Sequence, residues 1–230
     1  MRQRIFLGAV CLIVLAGCAP TADDPGRVEI EQLTQELSYF PHQTGAVWRY
    51  LPEGASLGDV RVNRRVEGPA ILEGDTWIAW RSEAPGFIYT YYRQYRDDGV
   101  YLRERRSASD RLTFDPPLQE YPSERQMRVG ASWGGVTTAT AYFPEARPEN
   151  RQAELTFEYE YRIVDERQVT VAAGRFDVFV INLDTKVRDE DGEVVETLQQ
   201  EVWFTPYVGE VRTEQGHFLV ETNFEIDTIE

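Results

Sequence analysis

Residues 155–163, Leu-Thr-Phe-Glu-Tyr-Glu-Tyr-Arg-Ile, alternate apolar and polar side chains without a break. Successive side chains of a strand point to opposite faces. Leu155, Phe157, Tyr159, Tyr161 and Ile163 therefore share a dry face, and Thr156, Glu158, Glu160 and Arg162 a wet one, as a half-buried antiparallel strand requires. The stretch 175–183 is different. Phe176, Val178 and Val180 oppose Phe179, Ile181 and Leu183, so both faces are apolar, which predicts a central strand covered on both sides. Residues 96–102 and 188–195 contain Asp-Gly pairs that read as hairpin turns, the glycine supplying a positive φ. One helical signal stands apart. Ile30, Leu33 and Leu37 have helical spacing within a segment poor in β-formers, so residues 28–38 are expected to form a short amphipathic helix. The class is all-β.

Three pairs of stretches recur in the same order. Residues 39–48 and 121–133 share an aromatic-Pro start followed by Gly-x-x-Trp. Residues 71–80 and 171–180 share a strand, a glycine turn and a strand that opens on an aromatic. Residues 95–104 and 205–214 both end in a short strand. Two tandem β units are expected, residues 39–115 and 116–230, within one compact domain.

The N-terminus sets the compartment. Arg2 and Arg4 precede a short apolar run that ends in Leu15-Ala16-Gly17-Cys18, too short for a permanent span. These four residues resemble the lipobox of bacterial lipoproteins. The resemblance implies cleavage between Gly17 and Cys18, lipidation of the Cys18 thiol and, usually, acylation of the new amine. On that reading residues 1–17 are a signal peptide and residues 18–27, broken by Pro20, Pro25 and Gly26, are a flexible tether. Ala19, which is not aspartate, points to the periplasmic face of the outer membrane in a two-membrane cell. The mature chain keeps 213 residues and one cysteine, so no internal disulfide forms. Its balance, 22 basic against 39 acidic side chains, argues against nucleic acid as a partner.

Three further motifs are Tyr39-Phe40-Pro41 with Gly45-Ala46-Val47-Trp48-Arg49-Tyr50, Val171-Ala172-Ala173-Gly174-Arg175-Phe176, and Trp203-Phe204-Thr205-Pro206-Tyr207-Val208-Gly209-Glu210-Val211. With them most of the mature chain resembles a loosely defined group of bacterial exported domains. The resemblance implies a curved antiparallel sheet, akin to the half-barrels of periplasmic lipoprotein carriers. It supplies no catalytic residue.

The chemistry-bearing residues point the same way. His42 and His217 are the only histidines, each read as a surface or loop residue, and no nucleophile elbow, zinc-protease or phosphate-loop motif occurs. No enzyme activity and no cofactor are expected. Asp189, Asp191 and Glu193 surround a glycine but lack the remaining calcium ligands, so they read as a solvated hairpin tip and no metal is expected. Trp77, Trp80, Tyr89, Tyr91 and Tyr95 crowd two neighbouring strands. Period two puts Tyr89, Tyr91, Arg93 and Tyr95 on one face and turns Trp77 away from Trp80. They either pack a β core or line a cleft for an apolar ligand or partner. Arg93, Arg96, Arg103, Arg105 and Arg106 form a candidate basic patch toward anionic headgroups or a partner, or else pair with Asp97, Asp98, Glu104 and Asp110. Two functions follow: a membrane-anchored accessory module that binds another envelope protein, or a carrier of lipid or a small apolar ligand. A deep apolar cavity would favour the second, a packed interior the first.

Overall fold

A computed structural model describes residues 32–34 and 36–225. The lipobox, Cys18 and the tether fall outside the described residues. The strands are β1 (Val47–Pro52), β2 (Val62–Leu72), β3 (Asp75–Ala84), β4 (Phe87–Arg96), β5 (Gly99–Arg106) and β6 (Arg111–Pro122), followed by β7 (Ser132–Tyr142), β8 (Gln152–Val171), β9 (Gly174–Arg188), β10 (Val194–Thr205), β11 (Gly209–Arg212) and β12 (His217–Thr222). Each pairs antiparallel with its neighbour in sequence, and β12 returns to β1 from Trp48↔Thr222 to Pro52↔His217.

The result is a closed barrel, not the open curved sheet or half-barrel that was expected. Closure pairs most of the strand edge that an open sheet leaves in water. The expected helix is absent as well: residues 32–34 and 36–38 have no helical structure, while residues 28–31 and 35 lie outside the described set. An isolated short helix is costly to nucleate. Here the Leu33 N–H donates to the Asn223 carbonyl at 2.6 Å instead, and Leu33 and Leu37 lie against the main core cluster. Spacing alone could not distinguish the two outcomes.

The strand readings hold. Tyr159 lies opposite Gly135 and Thr185, and Tyr161 opposite Trp133 and Leu183, with Glu158 and Lys186 on the other face. Phe176, Val178 and Val180 are buried in one core cluster and Ile181 in a second, with Phe179 packed against the second, so β9 is covered on both faces there. The outward positions of β8 and β9, among them Glu158, Glu160, Arg162, Asp184 and Lys186, carry no apolar band of the kind a bilayer-spanning barrel presents.

The sequence echoes fall six strands apart. Residues 39–48 lead into β1 and 121–133 into β7; 71–80 bridge β2 and β3 and 171–180 bridge β8 and β9; 95–104 bridge β4 and β5 and 205–214 bridge β10 and β11. The junction at 115/116, however, cuts through β6. The hydrogen bonding repeats too. Gly45 N–H donates to Val66 O and Val66 N–H to Ala46 O, while Gly130 N–H donates to Ile163 O and Ile163 N–H to Ala131 O. In each copy a bulge follows, at Val66/Gly68 in β2 and at Ile163/Asp165 in β8. Both glycines have positive φ, +90° and +86°, which is why this position needs glycine.

Candidate functional site

Residues from eight strands converge on the centre of the lumen: Trp48 and Tyr50 (β1), Arg64 (β2), Trp80 (β3), Arg93 and Tyr95 (β4), Val100 (β5), Tyr121 (β6), Phe204 (β10) and Glu210 (β11). Their convergence from eight of the twelve strands, on both sides of the β12–β1 seam, identifies the face as interior. Two ion pairs organise them. Arg93 Nε and Nη2 donate to the two oxygens of Glu120 at 2.6 and 2.8 Å, and the guanidinium lies 5.3 Å from the Trp80 ring and 5.0 Å from the Tyr91 ring. Arg64 Nη1 donates to Glu210 Oε2 at 2.5 Å and lies 5.4 Å from the Tyr50 ring. The Tyr121 hydroxyl donates to Glu210 Oε1 at 3.1 Å, and the Tyr50 hydroxyl to the Glu210 carbonyl at 3.0 Å. Every carboxylate oxygen of Glu120 and Glu210 thus has a donor.

Electrostatics follow from this enclosure. Burial pushes the phenols of Tyr50, Tyr95, Tyr121 and Tyr161 up, so they stay protonated donors. Burial disfavours the Arg93 and Arg64 cations, but Glu120 and Glu210 respectively overcompensate and hold both charged. Glu214 is pushed up, first by burial and then by the neighbouring Glu210 carboxylate. It is surrounded by protein yet retains some accessible surface, because an open polar slot in the wall lies beside it.

One end of the barrel is plugged by the Tyr39–His42 segment. The Phe40 ring sits 5.3 Å from both Tyr121 and Phe204, Tyr39 sits 5.7 Å from Tyr207, and Tyr207 N–H donates to Tyr39 O. His42 is half-buried in this plug and stacks on Tyr95 at 4.0 Å. Burial and then Glu124 raise the Tyr39 phenol to about 12. The cavity left among plug and cluster is about 50 Å³, room for a few waters and no acyl chain. A groove of about 800 Å³ outside the lumen borders Gln32, Leu33, Thr34, Glu36 and Leu37 and Thr205–Val208; it is open and mixed, with Leu33, Leu37 and Phe224 beside Gln32, Glu36 and Glu225.

The expected aromatic cleft is brought together in part. Trp80 is paired with Tyr91, Tyr95 is paired with Val100, and Tyr89 stacks on Phe87, all facing inward on β3 and β4. Trp77 is buried on the opposite face of β3 and takes no part. The candidate basic patch is dispersed, because neighbouring arginines of a strand point to opposite faces. Arg93 is inside with Glu120; Arg105 pairs with Asp110 at 2.8 Å; Arg103 pairs with Glu73 and Asp115; Arg106 pairs with Glu104; Arg96 stacks on Tyr101 at 4.6 Å. At the 189–193 turn, Asp189 Oδ1 accepts the backbone N–H groups of Asp191 and Glu193, so that carboxylate is spent on the turn itself.

Arg64, Glu120, Glu210 and the plug went unrecognised in the sequence. Arg64 had a signal, since Val62-x-Arg64-x-Val66 places a cation on a dry face. Glu210, between Gly209 and Val211, had none.

No protein-family model and no curated protein matches the sequence. Among solved structures, the chain is similar to a crystal structure from Bacteroides fragilis of a protein described as exported and as having a YmcC-like fold. The identity is 14%, 81% of this chain and 99% of the other are covered, and the TM-score is 0.43.

Proposed function

We propose that the chain is an exported, lipid-anchored accessory protein of the cell envelope that acts by binding another protein and carries out no catalysis. The observation that carries this reading is the filled centre of the barrel. Rings, two satisfied ion pairs and the Tyr39–His42 plug leave about 50 Å³ at the centre, against the several hundred that a lipid-sized ligand occupies. The charged outward face of β8 and β9 supports a barrel that sits beside a membrane rather than across it. Attachment then rests on the Leu15–Cys18 lipobox, and more than one acyl chain on Cys18 makes it durable.

Two measurements test this. Cys18→Ser is expected to abolish lipid labelling and leave precursor or unanchored protein; a mature-sized, lipid-labelled mutant in the membrane fraction would refute the anchor. Fatty acid or phospholipid added to the delipidated protein is expected to leave tryptophan emission unchanged. A saturable blue shift that disappears in Trp80→Ala, with the fold intact, would replace the interaction reading by the carrier one.

A further inference from the structure

The two halves of the barrel differ in the wall beside β10. In the first half β5 covers the edge of β4 from Thr90↔Arg106 to Arg96↔Gly99. Six strands later β11 covers β10 only from Trp203↔Arg212 to Thr205↔Gly209. The β11–β12 hairpin turns back early, at Thr213–Gly216, where Gly216 N–H donates to Thr213 O. On that side no backbone–backbone hydrogen bond among the described residues reaches Val194–Val202. Only side chains cross the gap: Arg212 Nη1 donates to Glu201 O, and Gln200 Nε2 to Glu214 O at 3.5 Å. The gap is a polar slot of about 450 Å³, walled by Gln199–Glu201 and Asn182–Asp184 on one side and by Arg212 and Glu214–Gly216 on the other.

We propose that this slot docks an extended, basic segment of a partner polypeptide, which adds a strand along the free edge of β10. An unpaired strand edge offers alternating N–H and C=O groups that an extended chain satisfies by backbone pairing. The volume of the slot suits about three or four residues of strand, within the longer stretch Val194–Val202 that β11 leaves uncovered. Charge selects the partner. Asp184, Glu201 and Glu214 line the slot with Arg212 as the one cation among its lining residues; Arg167 reaches Glu201 from beside it at 4.0 Å, and Glu196 lies further along β10. Lys or Arg side chains on an incoming strand relieve that excess, whereas an acidic or apolar segment does not. The inference rests on the protein-binding reading and gives it a place and a partner chemistry.

The test uses the full chain and a capped synthetic octapeptide with the sequence of Gly99–Arg106, the cationic strand that covers the corresponding edge in the first half. Amide hydrogen exchange of the free protein is expected to show unprotected amides within Val194–Glu201. Millimolar peptide is expected to slow their exchange at least tenfold and to shift the resonances of Glu214–Gly216. A peptide with each arginine replaced by glutamate is expected to bind at least tenfold more weakly; because this control leaves the protein unchanged, it does not depend on a variant folding. Glu201→Gln with Glu214→Gln is expected to weaken the cationic peptide in turn. Full protection of these amides in the free chain, no protection at millimolar peptide, or equal binding of the two peptides would overturn the site. Photo-crosslinks to a partner that form at Val136 on the outer wall but not at Gln199 would also overturn it while leaving the protein-binding reading standing; lipid uptake removes that reading itself.

Discussion

The halves β1–β6 and β7–β12 begin alike and end differently. Each begins with Gly-Ala-x-Trp, whose glycine and alanine clip onto a bulged second strand, at Val66 in one copy and Ile163 in the other. Each tryptophan then stacks inward, Trp48 on Trp80 at 5.0 Å and Trp133 on Tyr161 at 5.2 Å. The last hairpins diverge: β5 and β6 span 8 and 12 residues, β11 and β12 only 4 and 6. The junction differs as well. β6 leaves β7 after Asp115, because Pro116 and Pro117 have no N–H to donate. The split is bridged by Thr137, whose hydroxyl donates to Pro116 O, and by Tyr159, whose hydroxyl accepts the Gln119 N–H at 3.0 Å. Gly135, opposite Tyr159, leaves room for that ring to reach across. A shared local device thus starts both halves, while hairpin length decides whether the wall closes. Charge follows the same division: residues 39–115 hold 11 acids and 11 arginines, residues 116–230 hold 23 acids and 10 basic side chains.

The largest expected effect separates the ion pairs of the two halves. Glu120→Ala strands the Arg93 guanidinium in the lumen and is expected to cost about 3–5 kcal/mol in chemical denaturation. Most of that should return in the double variant Arg93→Met/Glu120→Leu. Glu201→Ala, which removes a more exposed partner of Arg212, should cost under ~1 kcal/mol. Equal losses would mean that the lumen is as wet as the surface.

Next comes the repeated tryptophan. Trp48 is 1% exposed and donates its indole N–H to Val208 O at 2.6 Å, whereas Trp133 is only partly buried and its N–H has no protein acceptor. Trp48→Ala is expected to cost about 3–5 kcal/mol and Trp133→Ala clearly less. A reversed order in urea midpoints would show that the halves are not packed as described. Tyr159→Phe tests the bridge over the split. Removing one acceptor from the Gln119 amide should cost about 1 kcal/mol, and an unchanged thermal midpoint would deny the bridge any role.

The smallest effect is a pH dependence at Glu214, in the second half. Glu214 has a folded pKa above its unfolded value, so the folded chain binds more protons there. The stability it contributes is fully present below the unfolded value near ~4.3 and is lost as pH rises through the folded one. Glu214→Gln should therefore stabilise modestly at pH 7 and not at pH 4. A variant less stable at pH 7 would reverse the assignment.

Much of the wall was legible from residues alone. Alternation in 155–163 assigned the inward face of β8 correctly, and the same rule put Tyr89, Tyr91, Arg93 and Tyr95 together and turned Trp77 away. The Asp-Gly turns and the Gly-x-x-Trp echo were also local signals, since glycine's positive φ and period two are properties of a few adjacent residues. Closure was not legible, because wrapping depends on bulges and on a pairing between β1 and β12 some 170 residues apart. For the same reason the arginines of 93–106 read as one patch in sequence and were scattered by strand faces and by acids from β5, β6 and the β2–β3 and β5–β6 turns. The helix expected at 28–38 gave way in its described residues to a hydrogen bond with Asn223, a partner no local pattern names. The Arg64–Glu210 and Arg93–Glu120 pairs, the Tyr39–His42 plug and the slot beside β10 exist only once the ring is closed, because each joins strands that period two leaves independent.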